Sequence, residues 1–62
     1  MVPVIGETWR NVQFSLRRVT ILRLTRMSDS SNLRVIYEYT DDPTPFHDTV
    51  EHFTDHFEKE EP

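Results

Sequence analysis

The chain has 62 residues, 35% of them hydrophobic and 11% aromatic, with one glycine, no cysteine and a formal net charge of −4. A chain of that length makes one domain, buries only about 60% of its unfolded surface and is marginally stable. The absence of cysteine excludes disulfides and thiolate metal sites as staples, and the aromatic and β-branched content argues against a disordered chain.

The net charge hides a split. Residues 1–40 carry six arginines against Glu7, Asp29 and Glu38, a net of +3, whereas residues 41–62 carry eight acids against Lys59, a net of −7. The opening residues lack a basic n-region, so no signal peptide is expected. No stretch approaches the ~20 apolar residues of a membrane span. A cytoplasmic-type soluble protein with no membrane partner is the expectation.

In chain order, three segments read as strands. Residues 8–14 are anchored by Trp9. Residues 18–26 are rich in Val, Thr, Ile and Leu. Residues 33–40 alternate, with Leu33, Val35, Tyr37 and Tyr39 on one face and Arg34, Ile36, Glu38 and Thr40 on the other. The polar run Met27-Ser28-Asp29-Ser30-Ser31-Asn32 predicts a turn that makes the last two strands an antiparallel hairpin. The middle strand changes phase: the pairs Val19/Ile21 and Leu22/Leu24 point to opposite faces. Either both faces are covered or a bulge sits near Ile21 and Leu22, the device that curls a short sheet toward a barrel.

In Asp41-Asp42-Pro43-Thr44-Pro45, two prolines forbid a helix or a central strand. A short helix is predicted over residues 48–57, with Asp48 or Thr49 as its cap and Asp48/Glu51 at capping-box spacing. A strand followed by a single turn is the alternative, because ten residues is short for a helix. Phe46, Val50, Phe53 and Phe57 form one helical stripe and read as core. Residues 58–62 read as an acidic, frayed tail beyond a single domain of residues 1–57. The fold class is therefore mainly β with one short C-terminal helix, built on a small bent antiparallel sheet.

The order Gly6-Glu7-Thr8-Trp9-Arg10-Asn11, a Val/Ile strand, Leu33-Arg34-Val35-Ile36-Tyr37, then Val50-x-x-Phe53-x-x-x-Phe57, resembles small phage and prophage proteins with an SH3-like barrel. The resemblance spans residues 5–57 and implies that barrel; it brings no activity with it. The chain departs from the pattern at residues 13–17, where no glycine supplies a tight turn.

Among side chains that carry chemistry, His52 and His56 stand at i, i+4, the spacing of two helix-borne metal ligands, with Asp48 one turn earlier as a third donor. No glutamate follows His52, so the metalloprotease signature is absent. These histidines read as boundary residues beside carboxylates, and no metal or other cofactor is expected. Catalysis is not expected either. Ser28, Ser30 and Ser31 fall in a turn without a base nearby, Gly6 stands alone rather than in a phosphate loop, and the chain is short for a substrate pocket.

Two binding surfaces remain. Asp41, Asp42, Asp48, Glu51, Asp55 and Glu58 form an acidic C-terminal face suited to a basic partner protein, as an inhibitor or nucleic-acid mimic would use. The alternative is a single-stranded nucleic-acid site on the sheet, using Arg18, Arg23, Arg34 and Tyr37. A homodimer through strand edges is a third reading.

Overall fold

The computed structural model describes residues 2–26 and 33–60. Five strands and one helix follow the chain as β1 (Thr8–Asn11), β2 (Arg18–Arg26), β3 (Leu33–Tyr39), β4 (Asp42–Thr49), α1 (Val50–His56) and β5 (Phe57–Lys59). They form one antiparallel sheet in the order β4-β3-β2-β1-β5, so β4 and β5 are its free edges and the sheet stays open. The expected mainly β class with a short C-terminal helix is what forms. The turn predicted at residues 27–32 lies outside the described residues.

The phase change in β2 is a bulge. Pairing with β3 runs Ile21↔Tyr37 and then Arg23↔Ile36, so Leu22 is the extra residue. The extra residue re-aims everything after it. Val19 and Ile21 are buried before the bulge, and Leu24 packs on the same core after it. Because cross-strand partners share a face, Arg23 and Thr25 are sent to the opposite, outer face together with Arg34 and Ile36.

The first strand stops at Asn11 rather than at residue 14. Asn11 Oδ1 accepts from the backbone N–H groups of Gln13 and Phe14, at 2.8 and 2.9 Å, an Asx turn that leads the chain out of the ladder. Asn11 N–H then donates to Arg17 O and closes the loop. Among the described residues no non-glycine residue takes a positive φ, so this connection needs no glycine. Gly6 does need its freedom: with φ at 90° it turns the chain so that its own N–H reaches Ile21 O.

A strand also runs through the proline segment. β4 begins at Asp42 and includes Pro43 and Pro45. It lies on an edge, where missing N–H groups cost least. Its register slips between Glu38↔Pro45 and Tyr39↔Asp42, leaving Pro43 and Thr44 unpaired in a bulge.

Helix α1 is shorter than predicted and starts at Val50. Thr49 is the cap, its hydroxyl accepting from His52 N–H at 3.2 Å; Asp48 is not. Seven residues are too few for a helix to hold itself. Its support is Phe53, fully buried among Trp9, Tyr37 and Phe57 at ring distances of 5.4, 5.0 and 4.6 Å. The helix touches β3, β4 and β5, so it plugs the open side of the bent sheet between its two edges. Of the predicted stripe, Phe53 and Phe57 are core and Val50 flanks it; Phe46 sits on β4 and is 40% exposed.

The tail expected from residue 58 is ordered through residue 60. Glu58 and Lys59 pair with Arg10 and Trp9 in the ladder, and Glu60 N–H donates to Thr8 O at 2.9 Å. Backbone pairing outweighs the unfavourable composition here because β1 would otherwise be an unpaired edge. Glu61 and Pro62 lie outside the described residues.

Candidate functional site

The outer face of β2, β3 and β4 carries an open groove of about 550 Å³ lined by Arg23, Thr25, Arg34, Ile36, Pro45, Phe46 and His47. Register explains the grouping. Arg23, Ile36 and His47 stand side by side across three strands, with Arg34 opposite Thr49 one step along. Arg34 Nη1 lies 3.3 Å from His47 Nδ1. A guanidinium only donates, so Nδ1 accepts and the imidazole proton of that tautomer is on Nε2. Arg23 is exposed and has no ion pair among the described residues. Two guanidinium groups thus stand over an apolar floor of Ile36 and Pro45; Phe46 borders the groove, but its ring lies on the other face, stacked 6.0 Å from that of Tyr37.

On the other half of the outer face, Arg10 and Arg18 are paired with acids, and the remaining cations nearby are engaged at the sheet's rim. Arg10 Nη2 bonds Glu58 Oε1 at 2.9 Å. Arg18 Nε pairs with Glu60 Oε2 at 2.8 Å, as ions rather than in hydrogen-bond geometry. Arg17 lies over the Tyr39 ring, 4.4 Å from its centroid. Lys59 Nζ pairs with Glu7 Oε2 at 3.0 Å. Of the predicted basic set, Arg23 and Arg34 come together; Arg18 is committed elsewhere.

Tyr37 leaves that set. It is 8% exposed, its ring lies within 6.1 Å of Phe53, Phe57, Phe46 and Tyr39, and burial pushes its hydroxyl above the ordinary value of 10.0. A base cannot stack on it. Alternation in β3 places it correctly on the Val35 face; that face is the core.

Set against known proteins, the chain matches no family model, no curated protein and no solved structure.

The six predicted acidic residues do not converge. Asp41 and Asp42 lie at one end of β4, and Asp42 Oδ1 accepts from Thr44 N–H at 3.1 Å, a bond that holds its pKa below the ordinary 3.8. Asp48 lies at the other end, roughly 20 Å along the strand, with its carboxylate on Thr49 N–H and His52. Glu58 is spent on Arg10. Glu51 and Asp55 are exposed on α1, on the far side of the sheet from the groove. Among the described residues no three His, Cys, Asp or Glu side chains gather as metal ligands, and no helix is long and apolar enough to cross a membrane.

Sequence reasoning missed Pro45, Phe46 and His47 as groove residues. Ile36 was the available signal: an aliphatic residue between Arg34 and Glu38 on the face that alternation makes polar.

Proposed function

We propose that this domain is a non-catalytic binding module and that its working surface is the groove on the outer face of β2, β3 and β4, taking single-stranded nucleic acid. The observation that carries this reading is the juxtaposition of Arg23 and Arg34 over Ile36 and Pro45. Guanidinium forks match phosphate oxygens, and an apolar floor accepts bases without reading their edges. The negative net charge does not oppose this. Glu58 and Glu60 are paired with arginine, and Glu51 and Asp55 face away across the sheet.

The test is fluorescence anisotropy with labelled single-stranded RNA and DNA at low salt. Arg23→Glu and Arg34→Glu are each expected to weaken binding at least tenfold. Arg18→Gln, already paired with Glu60, changes it little. Neutralising Asp41, Glu51 and Asp55 leaves it intact or slightly tighter. Absence of binding at tens of micromolar protein would refute the proposal. Capture of a basic protein that depends on those three acids would favour the acidic-face reading instead.

A further inference from the structure

Helix α1 presents His52 and His56 on its exposed side, one turn apart. Their rings lie 4.3 Å apart between centroids and are tilted by 33°. One nitrogen of each ring is already engaged. His52 Nδ1 contacts Asp48 Oδ2, and His56 Nδ1 lies 2.9 Å from the carbonyl oxygen of His52. A carbonyl oxygen only accepts, so His56 Nδ1 is the donor and holds the ring proton. The Asp48 carboxylate imposes the same tautomer on His52. In the neutral rings both free lone pairs are then on Nε2, and the His52 side chain is 61% exposed.

The i, i+4 spacing and the partner on each Nδ1 are features of ligating histidines. A carboxylate or carbonyl on the far nitrogen fixes the tautomer, orients the ring and raises its basicity toward a metal. We propose that His52 Nε2 and His56 Nε2 bind one divalent transition-metal ion, with water completing its coordination. Imidazole donors select zinc, nickel or copper over magnesium and calcium. Metal–nitrogen bonds of about 2.0–2.1 Å require the two Nε2 atoms to approach to roughly 3–3.5 Å, and because each lone pair lies in its ring plane the rings, now 33° apart in a stack, must splay until both planes meet at the ion. Glu51 and Asp55, exposed on the same helix, supply a favourable field. His47, on the groove side of the sheet, takes no part.

The consequence is mechanical. The ion clips one turn of a seven-residue helix, and that helix carries the Phe53 plug. A small domain without cysteine gains the staple its composition withholds. Asp48 is a positioning residue in this scheme, holding His52 without touching the ion.

The test is calorimetric titration of the full chain with zinc chloride, paired with thermal melts in zinc, nickel or magnesium. Expected are one zinc ion per chain and a melting temperature raised by zinc and nickel but not by magnesium. His56→Gln weakens zinc binding at least tenfold, Asp48→Asn by about 10–100-fold, and His47→Gln leaves it unchanged. Because His56 is exposed, metal-free H56Q melts near the wild type, which separates loss of metal from loss of fold. In the wild type, substoichiometric copper broadens the NMR ring signals of His52 and His56 and spares His47. Zinc binding unchanged in the H52Q/H56Q double variant, equal stabilisation by magnesium, or broadening confined to His47 would each overturn the proposal.

Discussion

Glu7 sits where the N-terminal turn meets β1. Its Oε1 accepts from Val4 N–H at 2.7 Å and from Trp9 Nε1 at 3.1 Å, and its Oε2 pairs with Lys59. One carboxylate thus ties the turn, the indole of a core residue and the last strand. The bond from Val4, then those from Lys59 and Trp9, hold its pKa below 4.5. A depressed carboxylate stabilises the fold above its unfolded pKa, and that stabilisation is lost as pH falls through the folded value. Glu7→Gln is therefore expected to melt below the wild type at about pH 6 and above, with the gap closing below pH 4.5. Melts across this range check it; a gap constant with pH would show that the ionised carboxylate is not what stabilises. Trp9 was recognisable as an anchor from the sequence, but the partner of its N–H was not, because the contact depends on how Gly6 turns the chain.

At the scale of elements, the legible parts are those in which burial and alternation agree. β3 alternates without interruption and formed to within a residue of its expected end, and the doublets in β2 left a bulge as one of two readings, the one the register shows. β4 was hidden because proline signals a break, and only the edge position, a property of the whole sheet, makes two prolines tolerable. β5 was hidden because Glu58 and Lys59 have poor strand propensity, and pairing with β1 overrides it. The groove was half legible for the same reason. Arg23 and Arg34 could be named individually, but their meeting with Ile36 and His47 requires both the Leu22 bulge and β4. The helix start was legible to within two residues. Thr49, not Asp48, accepts from His52 N–H, which frees Asp48 for the imidazole. Thr49→Ala is expected to cost about 1 kcal/mol, lowering the melting temperature by roughly 4–8 °C in a domain of this size, while Thr49→Ser retains most of the stability. Thermal denaturation measures both; an unaffected T49A would mean that Phe53 packing alone sets the helix.

For the molecule as a whole, the question is where the charges of the two halves go once the chain folds back on itself. The five-stranded order brings β5 against β1, so Glu58 and Glu60 meet Arg10 and Arg18, and the net +3 and −7 of the two halves partly cancel on one region of the sheet. Two groups stay apart: Arg23 and Arg34 on the groove side, where Glu38 stands opposite Pro45, and Glu51 and Asp55 on the helix side. The two populations answer differently to salt. Exposed ion pairs contribute about 0.2–1 kcal/mol each, small beside the stability of about 3–9 kcal/mol expected of a chain this long. Much of that stability rests on Phe53, whose removal would cost about 3–5 kcal/mol. Screening the pairs should therefore move the melting temperature only slightly. Binding in the groove has no apolar reserve of that size. Two phosphates neutralised by Arg23 and Arg34 give a slope near −1.4 in log affinity against log salt for a single strand, or about a 25-fold loss per decade. Raising sodium chloride from 50 to 500 mM is thus expected to weaken nucleic-acid binding by roughly that factor with little change in melting temperature. Titrations and melts in the same buffers decide it. A melting temperature that collapses with salt while affinity holds would mean that the ion pairs bear the fold and the groove arginines contact no phosphate.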